Sequence, residues 1–445
     1  MNKNDDGFIN LKTAQNGTDF VGIRITPQER TVTFPMGYIP SEQKLNISKI
    51  EKSKRKEILN LLKLISKETS YKKGERISTL DGEKVNDFPL KAIVFIIEDF
   101  LDRNTYYTEK ETLYSKNTFG KINWSKTIKN IKPVITESGI AFLDFIVRKN
   151  RIQENQLITE LHKYCVYKSF ELLGFLYTPS MPEKGLLLES DISKNKKYYS
   201  DFIQEKIDNT HLEINLELFS AMLDFINNFD SVNENNEASY GTYCFQVVWE
   251  NLIDKIFGTV DSKTMEKYFY PSSKWIFTED KKMKNNHPLK PDSIMITENQ
   301  KCFILDSKYY SYDMLRELEN DENEEKSILV HGSIPGTDSI QKQITYAQYV
   351  DKDLKNKNFG KMEYRFSEND IFNIFILPTN NSLDKLKYIG YATSDWQENN
   401  KNYHFVHAVT FDTKTAMELA EKDTKVFKAE LEKLLISKQK EFIKI

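Results

Sequence analysis

The segment KPDSIMIT, residues 290–297, is followed closely by KCFILDSKYY, residues 301–310, and these two apolar runs decide the predicted fold. Each run has the length and composition of a β-strand. Because side chains alternate along a strand, Asp306 and Lys308 point to the same face of the second run. The upstream residues of that face are apolar, which indicates a strand buried on both sides. Charges at the end of such a strand are costly unless they are paired or used.

Two carboxylates and a lysine are thus predicted to lie close together. Pro291-Asp292 precedes Asp306 by 14 residues and opens the first run. The Asp-x-Lys pattern alone is weak evidence, because it recurs at residues 261–263, 412–414 and 423–425, whereas Pro-Asp occurs once. Hydrolysis of a phosphodiester needs a metal ion and a cation near the developing charge. Mg²⁺ prefers oxygen ligands, so this set of residues fits that chemistry.

The elements around these runs indicate a mixed α/β (α+β) fold. A helix precedes three strand candidates, and a second helix and a further strand follow. Two more strands and a lysine- and glutamate-rich helix complete this half of the chain. In chain order, the bounded elements are a helix at 243–257, strands at 274–278, 292–297 and 302–310, a helix at 338–350, and strands at 371–379, 387–394 and 403–411.

The first half of the chain has a different character. Strands are predicted at residues 18–26 and 30–39, joined by Pro27-Gln28-Glu29, and amphipathic helices follow. Residues 230–241 are polar and show no periodicity, so we place a boundary there. The prediction is a mostly helical N-terminal domain over residues 1–230 and a second domain over residues 231–445.

The motif residues and the order of the elements resemble the PD-(D/E)xK nuclease superfamily, and its restriction endonucleases in particular. Over most of its length the chain is similar to the LlaJI-type restriction endonuclease family. The segments that carry this likeness are FPMGY (34–38), GKINWSKTI (120–128), KPDSI (290–294), DSKYY (306–310) and PGTDSIQKQITYAQY (335–349). The resemblance implies a PD-(D/E)xK core in the C-terminal domain and a Mg²⁺-dependent DNA endonuclease of a restriction system, with Mn²⁺ able to substitute.

The resemblance also implies roles for individual residues. Asp292 and Asp306 would hold Mg²⁺, and Lys308 would orient the attacking water and neutralise charge in the transition state. Glu250, on the first helix of the core, would be the third carboxylate. A solvated face explains Glu250 equally well, since it continues a polar stripe between Gln246 and Asp254 at helical spacing.

Candidate DNA contacts lie elsewhere. Gln341, Lys342 and Gln343 are on the helix after the catalytic strand, where related nucleases contact the scissile strand; ordinary surface positions are the alternative. Trp124 lies among lysines and could stack on a base, or it could be a packed aromatic beside a basic stretch. By elimination, DNA recognition or partner docking is assigned to residues 1–230.

Composition sets limits on these assignments. The net charge of -3 argues against binding nucleic acid by bulk charge. No apolar stretch is long enough to cross a membrane, the N-terminus has no apolar signal region, and the three cysteines form no paired motif, so a cytoplasmic location is expected. No phosphate-binding loop motif occurs, so the chain is not expected to hydrolyse ATP or GTP by that means.

The expected partners follow from these features. The substrate is double-stranded DNA, and one motif set per chain favours a homodimer on DNA. The family resemblance also allows assembly with a separate McrB-like GTPase subunit. A repair or recombination nuclease on the same fold, and a non-catalytic DNA-binding module, remain the alternatives.

Overall fold

Two compact units make up the chain in the computed structural model. One contains Met1–Asn86 together with Ser239–Ile445, and the other contains Asp87–Ala238. The residues that the structure describes are 7–26, 29–40, 43–47, 50–70, 89–117, 119–137, 139–153, 156–178, 180–228, 238–278, 283–318, 326–354, 366–380, 384–398, 400–419 and 424–442.

The N-terminal segment opens with a small sheet. Its elements are β1 (Phe8–Thr13), β2 (Val21–Ile25), β3 (Arg30–Phe34), β4 (Lys44–Asn46) and the helix α1 (Lys52–Ser70). Strand β3 pairs antiparallel with β2 and parallel with β1, and β4 pairs antiparallel with β1. The predicted strands at 18–26 and 30–39 are confirmed as β2 and β3. Pro27 and Gln28 of the predicted connection lie outside the described residues.

The unit of Asp87–Ala238 combines helices with short strands. Its helices are α2 (Leu90–Arg103), α3 (Trp124–Asn130), α4 (Leu157–Leu173), α5 (Glu189–Lys194), α6 (Lys196–Asp208) and α7 (Glu213–Asn227). Its strands are β5 (Glu109–Lys116), β6 (Lys121–Ile122), β7 (Val134–Thr136), β8 (Gly139–Ala141) and β9 (Ile146–Gln153). The strand order is β5-β9-β6, and β7 and β8 form a separate hairpin.

The second part of the larger unit contains the main sheet. The strands of this part of the chain, of which five form the main sheet, are β10 (Ala238–Thr242), β11 (Lys274–Ile276), β12 (Met283–Asn285), β13 (Ser293–Ile296), β14 (Cys302–Ser307), β15 (Tyr312–Leu318), β16 (Lys326–His331), β17 (Ile371–Thr379), β18 (Leu386–Ala392) and β19 (Val406–Asp412). The helices are α8 (Phe245–Phe257), α9 (Ser262–Tyr268), α10 (Thr337–Leu354), α11 (Thr413–Leu419) and α12 (Lys425–Phe442).

The main sheet has the order β13-β14-β17-β19-β18. Its three central strands run parallel, and β13 and β18 pair antiparallel at the two edges. Every residue of β14 and β17 is buried, which confirms the prediction of a strand covered on both faces. The mixed α+β class is therefore confirmed.

Helices cover the two faces of this sheet. Cys302 and Ile304 of β14 pack in one core cluster with Ala347 and Val350 of α10. On α8, Phe245 and Trp249 lie against the ring of Tyr309, whose side chain belongs to the other face by strand alternation. The apolar positions of α8 recur at helical spacing, and this amphipathic pattern explains why the helix forms here.

Two hairpins lie beside the main sheet. Strands β11 and β12 pair antiparallel with each other, and β15 pairs antiparallel with β16. The predicted strand at 274–278 thus exists as β11, but it belongs to a separate two-stranded ribbon and not to the sheet of β13 and β14. The sequence pattern identified the strand without identifying its pairing partner.

The N-terminal half of the chain is arranged differently from the prediction. Residues 1–86 belong to the same unit as Ser239–Ile445, so a single N-terminal domain over residues 1–230 is not what the structure has. The physical reason is long-range packing: the backbone N–H of Met36 donates to the hydroxyl of Tyr309 at 2.7 Å, and the Thr413 hydroxyl donates to the carbonyl of Met36 at 3.2 Å. Four strands in residues 8–46 also make this segment less helical than expected. Most of the polar stretch at 230–241 lies outside the described residues.

Among the helices that the structure describes, none has the length and apolar character needed to cross a membrane.

Candidate active site

The predicted lysine and its neighbouring carboxylate lie at the carboxyl end of the central strand β14. Asp306 and Ser307 are the last two residues of β14, and the N–H of Lys308 extends the pairing by donating to the carbonyl of Ile376 at 3.0 Å. The Lys308 Nζ lies 3.0 Å from Asp306 Oδ2, with side-chain exposures of 22% and 12%. An ion pair this well covered is far less screened than a surface pair.

Asp292 reaches the same place from the edge of the sheet. The residue immediately precedes β13, and β13 is held in register by the pairing of Ser293 with Leu305. Asp292 Oδ2 accepts a hydrogen bond of 2.7 Å from the backbone N–H of Ser307. The antiparallel turn of 297–301 therefore brings together two carboxylates that are 14 residues apart in sequence.

The electrostatics confirm that these groups are neighbours. Burial raises the pKa of Asp292 to about 8, and the charge of Asp306, a hydrogen bond to Asp306 and the charge of Glu250 act in the same direction. The hydrogen bond from Ser307 opposes them. At neutral pH and without a metal ion, Asp292 therefore favours its protonated form.

Lys308 responds to the same charges in the opposite way. Burial lowers the pKa of Lys308, but attraction to Asp306, its hydrogen bond and the charge of Asp292 outweigh burial and raise the pKa above the ordinary value. The lysine is therefore a stable cation at the rim of the carboxylate pair. It is suited to stabilising negative charge and not to acting as a base.

The carboxylates can also be tested as ligands for a cation. Within the described ranges, no three His, Cys, Asp or Glu side chains are already arranged as a metal-binding group. The charge of Asp306 nevertheless raises the pKa of Asp292, and a divalent cation would relieve the repulsion between the two carboxylates. The side-chain atoms that Asp292 and Asp306 offer as metal ligands are carboxylate oxygens, and such ligands suit Mg²⁺ or Mn²⁺ better than zinc.

Glu250 is brought to the group by α8. Its charge raises the pKa of Asp292, so its carboxylate lies within electrostatic range of the pair. Asp254, one turn later on α8, has a pKa that burial raises, and its neighbours are Ser293 and Lys428.

Helix α10 supplies the cover over the carboxylates. The hydroxyl of Tyr346 donates to the carbonyl of Lys290 at 3.0 Å, and burial, followed by the charges of Asp306 and Asp292, raises the Tyr346 pKa. Gln343, one turn earlier, is fully buried, and neither of its amide atoms has a hydrogen-bond partner among the described residues. A buried amide of this kind is expected to bind water or an ion.

The other predicted DNA contacts differ in their exposure and in their contacts. On α10, Lys342 is exposed, and the half-buried Gln341 donates to the hydroxyl of Ser394. Trp124 begins α3 in the unit of Asp87–Ala238, where it is 53% exposed and contacts Phe145 edge to face. Contact of these residues with DNA stays a prediction.

Sequence reasoning missed how FPMGY supports the site. Besides the hydrogen bonds of Met36, Gly37 adopts φ +82°, and a Cβ there would lie 2.4 Å from the Thr413 hydroxyl. This turn thus packs against the carboxyl ends of the parallel strands. The positive φ and the close approach explain why glycine is needed at position 37. The sequence shows this glycine, but it does not show that the residue it approaches is the distant Thr413.

Comparisons with known proteins agree with the sequence resemblance. Residues 20–425 match the model of the LlaJI restriction endonuclease family. A relative in Bacillus subtilis (strain 168), the type II restriction enzyme BsuMI component YdjA, is 28% identical over 367 residues, covering 78% of this chain and 70% of the relative.

Solved structures of McrBC assemblies from Thermococcus gammatolerans are more distant. A half-complex of McrB AAA+ hexamers with bound McrC has a TM-score of 0.33 at 12% identity, covering 90% of this chain and 81% of that chain. A cryo-EM structure of the McrBC complex has a TM-score of 0.22 at 10% identity, covering 54% of this chain and 68% of that chain. The family match spans nearly the whole sequence, and the chain belongs to the LlaJI restriction endonuclease family.

Proposed function

We propose that this chain is a Mg²⁺-dependent, site-specific DNA endonuclease of a restriction system, with a PD-(D/E)xK core built on β13, β14, β17 and α8. The observation that carries the proposal is that Asp292, which is half-buried, and Asp306, which is buried, lie with Lys308 at the carboxyl end of β14. Such a group is expensive to bury for structure alone. Perturbed titratable groups gathered in this way mark functional sites.

The residues of the proposed site have two kinds of role, metal binding and charge stabilisation. Asp292 and Asp306, with Glu250 as the third carboxylate, would hold the cation, and Mn²⁺ would substitute for Mg²⁺. The bound cation would supply Lewis-acid activation of the scissile phosphodiester and of a water molecule. Lys308 orients that water and stabilises the negative charge of the transition state. The fixed hydrogen bond from Ser307 keeps Asp292 oriented toward its partner.

The proposed substrate is double-stranded DNA, cut by two copies of the chain or by an assembly with a separate subunit. The relative in Bacillus subtilis carries the name of a component of a type II restriction enzyme, which supports a multi-protein system. The chain itself has no phosphate-binding loop motif. A nucleotide-hydrolysing partner, such as a McrB-like GTPase, would therefore be a separate protein.

Plasmid cleavage by purified variants tests the assignment. Asp306→Ala and Lys308→Ala are each expected to lower turnover by at least about 100-fold, because the groups act in the transition state. Lys301→Ala is the matched control: Lys301 pairs with Asp370 at the opposite end of the same strand, with similar exposure. Full activity in either test variant, or equal loss in the control, would contradict the assignment.

The metal requirement is tested separately. Wild-type protein should cut in Mg²⁺ or Mn²⁺, should not cut in EDTA, and should bind DNA without cutting in Ca²⁺. Isothermal titration of Mg²⁺ into wild type and Asp306→Ala gives a readout besides activity, and binding should be lost in the variant. Cleavage that persists in EDTA would exclude the proposed chemistry.

A further inference from the structure

The ribbon of β11 and β12 exposes an unusual run of large apolar side chains. Trp275 is 62% exposed, Ile276 is 63% exposed and Phe277 is 46% exposed. All three residues of β11 are exposed, so the described ribbon is not packed on either face of this strand. A two-stranded hairpin in water is only marginally stable alone, so such a ribbon gains from being covered by a ligand.

The base of this ribbon is fixed to the candidate active site. Two backbone hydrogen bonds continue the pairing beyond β11 and β12. The N–H of Asn286 donates to the carbonyl of Ser273 at 2.9 Å, and the N–H of Leu289 donates to the carbonyl of Pro271 at 3.0 Å. The chain then passes Lys290, whose carbonyl accepts the hydroxyl of Tyr346, and enters Pro291-Asp292. The ribbon is therefore held at its base by the residues that cover the carboxylates.

Covalent geometry limits how far the ribbon lies from the proposed cut. Asp292 lies seven positions after Asn285, the last residue of β12. An extended chain of that length spans at most about 25 Å. Since duplex DNA rises about 3.4 Å per base pair, the base of the ribbon is within roughly seven base pairs of the proposed site.

Charge identifies the kind of ligand. In sequence, residues 271–290 contain five lysines and two acidic residues. Their net charge is thus +3 in a chain whose net charge is -3. Lysines beside exposed apolar side chains are the combination used to contact phosphates while an apolar group is inserted at the bases.

We propose that the ribbon of β11 and β12 is a DNA-contacting arm of the active site. Trp275 inserts into a groove of the duplex beside the cut, and its neighbour Lys274 contacts the backbone phosphates. Two-stranded ribbons have the dimensions to enter a groove of B-DNA. This inference rests on the proposed function and adds to it the element that places the duplex over Asp292 and Asp306.

Binding of a labelled duplex tests the arm. A fluorescein-labelled duplex of about 40 base pairs and mixed sequence is titrated with full-length protein in Ca²⁺, at several salt concentrations, by fluorescence anisotropy. Trp275→Ala should bind roughly tenfold more weakly, as expected for the loss of one aromatic contact with a base, with the salt dependence unchanged. Lys274→Ala should weaken binding and reduce the slope of log K against log salt by about one.

Trp396→Ala is the matched control. Trp396 has the same exposed fraction of 62%, but it follows β18, at the opposite edge of the main sheet from β13. This variant should bind like wild type. The Tm of every variant should equal that of wild type, because the substituted side chains are exposed.

The outcomes separate this inference from the proposed function. Wild type that neither binds the duplex nor cuts plasmid in Mg²⁺ overturns both. A second result overturns the arm alone: wild type binds the duplex and cuts plasmid, and Trp275→Ala and Lys274→Ala bind the duplex as tightly as wild type. The exposed ribbon would then be assigned to a protein partner. An equal loss of affinity in Trp275→Ala and Trp396→Ala also overturns the arm.

Discussion

Replacing Asp292 by asparagine is expected to stop cleavage and yet make the metal-free protein more stable. The amide would keep the shape of the carboxylate, accept the same hydrogen bond from Ser307 and donate to Asp306. It would do so without the charge that burial and Asp306 disfavour. A residue that lowers stability but is needed for activity is typical of an active site.

The pH dependence of this effect follows from the pKa of Asp292. The folded protein holds a proton on this group up to about pH 8, whereas an unperturbed aspartate loses it near pH 3.8. Between these values the folded state binds more protons than the unfolded state, so the free energy of unfolding falls as pH rises. Asp292→Asn removes this contribution, and the advantage of the variant should grow from about pH 4 to pH 8.

The magnitude can be bounded from the same values. A difference of about four pKa units corresponds to roughly 6 kcal/mol for one isolated group. Relaxation of side chains and water around the charged form reduces this, and we expect about 2–3 kcal/mol at pH 8. With about 2.1 cal/mol/K of unfolding entropy per residue, a unit of roughly 300 residues would gain about 3–5 °C in Tm.

Differential scanning fluorimetry in EDTA across pH 5–8.5, followed by addition of Mg²⁺, is the assay. Mg²⁺ should raise the Tm of wild type more than that of Asp292→Asn, because only wild type keeps both ligands. Asp254→Asn is the control, since its pKa is also raised by burial while its carboxylate is outside the proposed ligand set; it should retain cleavage. An Asp292→Asn protein that is less stable than wild type at pH 8, or that still cuts DNA, would refute the reasoning.

Further outcomes follow from other contacts. Glu250→Gln should lower cleavage at least about tenfold with little change in Tm, and undiminished cleavage would remove it from the ligand set. Tyr309→Phe should cost about 1–2 kcal/mol, measured by urea unfolding, because the buried N–H of Met36 loses its acceptor. Gly37→Ala should cost about 1–3 kcal/mol, because φ is +82° and the added Cβ meets Thr413; wild-type stability would show that the turn readily rearranges. Double-strand cleavage should be second order in protein at low concentration, whereas first-order kinetics would point to a monomer.

The site residues close in sequence could be predicted because strand alternation is a local rule. Asp306 and Lys308 lie close together at the end of one strand. The short turn before that strand favours antiparallel pairing with β13, and this pairing brings Asp292 close to Asp306. The burial of β14 on both faces and the mixed class were accessible for the same reason, since β14 reads as a continuous apolar run. The identity of the metal and the catalytic roles stay predictions.

Contacts between distant segments could not be predicted. Nothing near Met36 in sequence indicates that its backbone contacts Tyr309 and Thr413, because such contacts depend on packing of complete elements. The same limitation placed residues 1–86 in the wrong domain. It also left the partner of β11 unidentified, since a strand pattern carries no information about which strand lies beside it.

The division of the larger unit into two separated segments has a consequence for biosynthesis. After the ribosome has made Met1–Asn86, it must add the whole of Asp87–Ala238 before the remainder of that unit begins to appear. At about 5–20 residues per second this takes roughly 8–30 s, during which β1–β4 have no main sheet to pack against. The intervening unit is contiguous in sequence and is free to fold in that time. A nascent chain that stops before β17 lacks the strand that pairs with Asp306 and Ser307, so the proposed site is completed only after the intervening unit has been made.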